Sequence, residues 1–326
     1  MKSTSLCSFV RTPIVAALLL VPFLANAQDY PKRPITIVVP YAAGGGTDSI
    51  ARDLAKLMSD KLGQSVVIEN KGGGGGTIGS SSVAKANPDG YTLLFASSSF
   101  VTQAATEKKQ SYDVNKDFAP VAMIGRGPLI VVANKVTGAK TIPELISASK
   151  AKPEGFTFCS SGPGTILHLA GELFKQRTGA NLTHVPYKGS GPATTDLLAG
   201  RTQVFFATVP AMLPYVKRGQ IELLGVTGAQ RSALFPNTPT LTEAGVPNYN
   251  ITTWWGLLAP AGTPEAIVTK LNAVVNDVAS KDPLKGRLAS EGAEPFSGKS
   301  AEFGSTLSSE YALWKDLLKT GNITTQ

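Results

Sequence analysis

Histidine is nearly absent: the 326 residues hold only His168 and His184, and no GxSxG elbow accompanies them. A serine hydrolase needs a nucleophile beside a base, so acyl-transfer chemistry has no signature here. Cysteine is as scarce, with Cys7 and Cys159 alone. Two histidines and so few thiols assemble no familiar zinc spacing, so no metal site is expected. Cys159 lies in the strand-like run Phe156-Thr157-Phe158-Cys159 and reads as a small core residue. His168, one turn into a helical pattern, reads first as a structural hydrogen-bonding group rather than a base.

Long apolar runs are lacking too, except at the start. Lys2 and Arg11 precede an apolar stretch, Ile14 to Leu24, and Ala25-Asn26-Ala27 supplies a small-x-small cleavage pattern. This is the form of a secretory leader covering 1–27, cut before Gln28. About a dozen apolar residues fall short of the roughly 20 that cross a bilayer. Cys7 precedes the run and so is not placed for lipid attachment. With the leader gone, Cys159 stands alone and no internal disulfide forms.

Clustered charge of one sign is also missing. The net charge is +8, but lysines and arginines are scattered among acids, and no basic run exceeds a pair such as Lys108-Lys109. A nucleic-acid interface needs a concentrated basic face, so no nucleic-acid partner is expected.

What is present is an alternation of short apolar runs with helical patterns, which predicts α/β units and mostly parallel sheets. Strands are expected at Ile35-Val39, Val66-Glu69, Tyr91-Phe95, Leu129-Ala133, Thr157-Cys159, Thr183-Val185, Val204-Ala207, Leu223-Val226 and Trp254-Ala259. The stretch Gly228 to Asn250 is turn-rich and reads as a long surface connection. Two helices close the chain, one marked by Ile267, Leu271, Val274 and Val278, the other by Phe303, Leu307, Tyr311, Trp314 and Leu318. The order predicts a first lobe (28–125 and 253–326) interrupted by a second (126–252), crossed near Gly125 and Thr253. Two crossings make a hinge that limits the lobes to opening and closing.

The chemistry concentrates in strand-to-helix loops. Pro40-Tyr41-Ala42-Ala43-Gly44-Gly45-Gly46-Thr47-Asp48 follows the first strand, and Ser160-Ser161-Gly162-Pro163-Gly164-Thr165 occupies the equivalent place in the second half. Glycine admits close approach of the backbone, and free N–H groups at a helix start attract anions without lysine or arginine. Thr47 or Asp48 equally suits a plain helix cap. Ser97-Ser98-Ser99, Tyr187-Lys188-Gly189-Ser190-Gly191 and Thr208-Val209-Pro210 sit at further strand ends, small and polar as a small-ligand pocket requires.

Several of these segments resemble one family. Arg33-Pro34-Ile35 through Asp48, Val67-Ile68-Glu69-Asn70-Lys71 with its glycine run, and Asn87-Pro88-Asp89-Gly90-Tyr91 are similar to Bug-type solute receptors of tripartite tricarboxylate transporters. So are Ser161-Gly162-Pro163-Gly164-Thr165 with His168-Leu169-Ala170-Gly171-Glu172, and His184-Val185-Pro186-Tyr187-Lys188-Gly189. They recur in order along nearly the whole exported chain. The resemblance implies a two-lobed periplasmic binding protein of Venus-flytrap form that closes on a small carboxylate. It implies delivery to the transporter's membrane subunits by a monomer, with no cofactor. By position it makes Gly44, Gly45, Gly162 and Thr165 the foremost carboxylate contacts, supported by Tyr41, Ala43, Thr47 and Ser161. Ser98, Ser99, His168, Lys188, Gly189, Thr208 and Val209 are expected around the rest of the ligand. Asp48 meets an amino group or hydroxyl in some relatives. Ala42-Ala43 stands where prolines are common in the family.

Rival readings are weaker. Gly74, Gly76 and Gly79 satisfy GxGxxG, but five consecutive glycines match many patterns, and Phe95-Ala96-Ser97 provides no acid for a ribose. A periplasmic sensor feeding a signalling receptor, or an exported enzyme acting on a carboxylic acid, remain the alternatives of another class.

Overall fold

In the computed structural model the described residues are 30–41, 43–44, 46–107 and 111–321. The leader, Cys7, Lys108-Lys109, Ala42 and Gly45 lie outside them. By its contacts the chain divides at Tyr30/Pro31, and Pro31–Gln326 forms one compact unit containing two sheets.

The first sheet holds β1 (Ile35–Val39), β2 (Val66–Asn70), β3 (Thr92–Ser97), β4 (Phe118–Pro128), β10 (Thr252–Pro260) and β11 (Glu294–Pro295) in the order β11-β4-β10-β3-β1-β2. The second holds β5 (Ile130–Ala133), β6 (Phe156–Ser160), β7 (Leu182–Pro186), β8 (Val204–Ala207) and β9 (Glu222–Val226) in the order β7-β6-β8-β5-β9. Between them run α1 (Gly46–Leu62), α2 (Thr77–Ala84), α3 (Ser99–Thr106), α4 (Ile142–Ala151), α5 (Ile166–Thr178), α6 (Ser190–Leu198) and α7 (Val209–Lys217). After β10 come α8 (Glu265–Ala279), α9 (Leu284–Ser290) and α10 (Ser300–Thr320).

Both sheets are mixed rather than mostly parallel. β1, β2 and β3 run together, as do β6, β7 and β8, but β10 opposes β3 and β4, and β5 opposes β8 and β9. The reason is the crossing. β5 follows β4 out of the first sheet, and β10 is the strand by which the chain re-enters it. The βα strands run toward the face where their helices begin. A strand that enters across that face starts there and runs away from it, so β10 lies reversed beside β3 and β5 reversed beside β8, while β11 adds a second reversed strand at the edge of the first sheet.

The pass from sheet to sheet falls at Leu129 and at Ile251, and Thr227 ties the two. Its hydroxyl accepts the Leu129 N–H at 2.8 Å and reaches the carbonyls of Ile251 (2.6 Å) and Leu129 (3.1 Å). Its own N–H donates to Leu129 O, and Ile251 N–H donates to Thr227 O. Thr227 is fully buried.

One buried cluster draws on both sheets, with Trp254, Trp314, Phe303, Phe158, Phe205 and Phe206 among its largest fully buried side chains. Each such residue contributes about 1.5–3 kcal/mol by burial. Cys159 is buried among them, and burial pushes its thiol up to about 11, so it is an inert core residue. Gly228 to Asn250 contains no helix or strand, yet it is no mere surface connection. Leu241, Val246 and Tyr249 are buried, and Tyr249 Oη–H donates to Ala170 O at 2.7 Å. Among the described residues no helix is long and apolar enough to cross a membrane.

Thr227→Val keeps the volume but strips one hydroxyl from buried partners. Each orphaned partner costs about 1–3 kcal/mol. A stability loss of that order in urea unfolding is expected, and an unchanged midpoint would show that the knot is not stabilising.

Candidate functional site

The carboxyl ends of β1, β3, β6, β7 and β8 lead into α1, α3, α5, α6 and α7, and the first turns of these helices wall one cavity of 630 Å³. α1 contributes Gly46 and Thr47, α3 Ser99, α5 Ile166 and Leu167, α6 Ser190 and Gly191, and α7 Pro210 and Ala211. Tyr41, Ser97, Ser161, Thr165, Gly189 and Thr208 complete the wall from the loops, with Gly75 from the glycine run. Thr253 and Trp255 enter from the start of β10, and Glu291 from just beyond α9. Helix N-termini carry partial positive charge and unpaired N–H groups. Five of them from two sheets meet here, and among the described residues no lysine, arginine or histidine shares the wall.

Hydroxyls orient the polar side of the wall. Tyr41 Oη is 2.9 Å from Ser97 Oγ, and burial pushes its phenol up to about 12, so it stays a neutral donor. Trp255 Nε1–H donates to Thr47 Oγ1 at 3.2 Å. Thr165 Oγ1–H donates to Gly162 O at 2.8 Å while its oxygen caps α5. Ile166, Leu167 and Trp255 supply the apolar remainder.

Of the residues read from the sequence, Tyr41, Thr47, Ser99, Ser161, Thr165, Gly189 and Thr208 line this cavity. Others stand apart from its wall. Asp48 is buried beneath the first loop: it accepts from Gly44 N–H (2.9 Å), Arg52 Nε (3.0 Å) and Asn70 Nδ2 (2.8 Å). Burial alone would raise its carboxyl, but Arg52, the Gly44 amide and Asn70 hold it below the usual carboxylate range. It is a strut of the loop, not a free ligand group. Ala43 and Gly44 are exposed at the loop tip, and Lys188 faces solvent. Ser98 is buried, with Oγ 3.1 Å from Thr253 Oγ1. Val209 is fully buried behind Thr208, and Gly162 spends its N–H on Ser160 Oγ at 3.1 Å. Gly45 falls outside the described residues.

His168 also lies behind the wall, where it does something else. Its Nδ1 accepts the Gly164 N–H at 3.1 Å, and its ring stacks on His184 with centroids 3.8 Å apart. His184 Nε2 is 2.7 Å from Ser160 Oγ. This Ser–His contact is no nucleophile pair: Ser160 is fully buried, its hydroxyl is engaged with Gly162, and it is outside the cavity wall. The stacked imidazoles instead brace the loop Ser160–Thr165 from below. Gly164, at φ +73°, lets that loop pack on α3, because a Cβ there would lie 2.5 Å from Thr106 Oγ1.

Sequence reasoning missed Trp255, Thr253 and Glu291. The first two alternate along β10, whose start at the cavity is a consequence of the crossing. Glu291 follows α9, a short helix with no clear sequence period. Among the described residues no group of acids, histidines and cysteines is arranged to hold a metal.

Known proteins share this architecture. A family model described as "Tripartite tricarboxylate transporter family receptor" matches residues 50–323. Protein BugT of Bordetella pertussis is 36% identical over 321 residues, covering 98% of either chain. A solved R. palustris protein with adipate is 38% identical, with a TM-score of 0.82 over 91% of this chain and 99% of its own. MatC from Rhodopseudomonas palustris with bound malate is 31% identical, with a TM-score of 0.79 over 89% of this chain and 100% of its own. The Bug-type resemblance and the two-lobed binding-protein fold read from the sequence both hold.

Burial first, then neighbouring charge, lowers His168 to about 3 and His184 to about 4, whereas an unfolded histidine titrates near 6.5. The folded state thus favours the neutral rings. Their contribution is complete above about pH 6.5 and is lost as pH falls below it toward the folded values. The buried acids Glu291 and Glu310, each raised to about 7, cancel when urea melts are read as wild type minus a variant lacking both rings. In that difference the histidine share of stability should drop by about 2–4 kcal/mol between pH 7 and 5. The His168→Gln/His184→Gln double variant should lose that share of the slope; a wild-type-like slope in it would refute the brace.

Proposed function

Because the chain belongs to the receptor family of tripartite tricarboxylate transporters, we propose that it binds a small carboxylate in the 630 Å³ cavity and presents it to the membrane subunits of such a transporter. The observation that carries this reading is the convergence of five helix starts on a wall whose described residues include no cation. An anion there meets aligned N–H donors and hydroxyls already held in place. The adipate and malate of two similar structures are acids of a size such a cavity accommodates.

The magnitudes are sufficient. A helix start contributes about 0.3–1 kcal/mol to a bound anion, up to ~2 when partly buried. Hydrogen bonds to a charged group add about 1.5–3 kcal/mol each. After desolvation and ordering costs, a net ~8 kcal/mol corresponds to roughly micromolar affinity.

The same reading places the protein in the periplasm after removal of 1–27 and treats it as a monomer. It makes 28–125 with 253–326 one lobe and 126–252 the other, hinged about Thr227. It is a binding function without turnover: the one Ser–His contact near the cavity is sealed from it. Tyr41, Thr47, Ser99, Ser161, Thr165, Gly189 and Thr208 are the proposed contacts.

A thermal-shift screen of di- and tricarboxylates, aromatic acids and acidic amino acids tests the ligand class. An acid should raise the melting temperature; stabilisation by neutral sugars or cations alone would sink the proposal. Gly191→Leu tests the place. Gly191 belongs to the wall and a Cβ there meets nothing within 4 Å, so a leucine is accommodated with the fold intact. Calorimetry should show at least about tenfold weaker binding (about 1.4 kcal/mol) at unchanged melting temperature, and unaltered affinity would move the site elsewhere.

A further inference from the structure

Among the described residues, Glu291 is the only carboxylic acid in the cavity wall, and no lysine, arginine or histidine joins it. It is 8% exposed, and no hydrogen bond from a described residue reaches its carboxyl. It leans on the opening of α1, where a Cβ built on Gly46 would lie 2.7 Å from its Oε1. A ligand carboxylate drawn to that helix start therefore arrives beside a second acid. Two like charges so close in a dry cleft do not both stay ionised.

Among the described residues only Arg287 eases the conflict, and weakly. Arg287, one turn earlier on α9, is paired with Asp53 of α1 at 3.0 Å. On α1, Arg52 is held by Asp48 and Asn70. Arg126 of β4 sits over the Phe296 ring, and Glu294 of β11 is exposed. Tyr41 stays neutral, and the second sheet's helices bring no ionisable side chain to the wall. Burial, opposed only by Arg287, raises the Glu291 carboxyl to about 7.

On the carboxylate reading above, we propose that Glu291 is the specificity-determining residue of the cleft: it engages the ligand in its protonated form, donating its O–H to a ligand oxygen, so that a dicarboxylate binds together with one proton taken from water. Acids without an amino group are the class this favours, because an ammonium would sit against the positive ends of the helices.

The test is calorimetry of the tightest acid from the screen, with adipate and malate included, between about pH 6.5 and 8.5, where such ligands are already ionised. Two buffers of different ionisation heat count the protons. Binding should take up close to one proton at the alkaline end and weaken toward tenfold per pH unit there. Glu291→Gln, neutral throughout, should abolish both effects. Wild-type affinity flat in pH without proton uptake overturns the inference while leaving a carboxylate receptor. So does a pH dependence that survives in E291Q. Tightest binding of an acidic amino acid that is lost in E291Q also overturns it, since Glu291 would then act as an ionised counter-charge. Failure of every acid to bind at either pH overturns the carboxylate reading itself.

Discussion

On the proposed function, the constraint from which the rest follows is an anion site whose described wall residues include no cation. Partial charges at a helix start are weak singly, so several must converge to match one lysine or arginine. Convergence demands that the strands feeding those helices all end at one face, in both sheets. β1, β3, β6, β7 and β8 do so. The chain must then cross between sheets at that face, and the reversed strands β10 and β5 are the result. What looks like irregular topology is the geometric consequence of pointing five helices at one place.

Weak dipoles also need to be held still, because a donor that must reorient loses in ordering what it gains in contact. The polar groups just behind the wall serve this end. Asp48 clamps Gly44, Arg52 and Asn70 around the first loop. His168 and His184 clamp Gly164 and Ser160 under the second. Both clamps work only in one protonation state: the carboxylate is kept charged by its donors, and the imidazoles are kept neutral by burial. Supporting groups of opposite chemistry thus reach the same end by opposite pKa shifts.

This division explains what the sequence could and could not reveal. The βα alternation and the two glycine loops are local patterns, and the strands and helix starts fall where period and turn residues put them. Which loop residue faces the ligand is a tertiary matter. Ser97, Ser98 and Ser99 are chemically alike, yet the chain turns so that Ser98 bonds Thr253 while its neighbours line the cavity. Ser160 and Ser161 divide the same way. β4 was hidden because Phe118–Pro128 mixes two glycines and two prolines into a long central strand. Glu291 was hidden because its importance comes from Gly46, far away in sequence, and from nothing in its own segment.

Few polar contacts join the two walls directly. Gln103 Nε2 on α3 donates to Pro163 O at 3.0 Å, and Gly292 packs against Val209, where a Cβ would approach Val209 Cγ2 to 2.8 Å. By contrast, the crossing is tied by Thr227 on both strands at once. On the proposed hinge, a fold that is firm at the crossing and lightly latched across the cavity would leave most of the closing free energy to whatever bridges the walls. A ligand shifts such an equilibrium only by its differential affinity for the closed arrangement. An acid touching α1 and α5 together has that differential built in, since each helix start lies on a different sheet. A ligand satisfied by one wall alone has none, however tightly it sits.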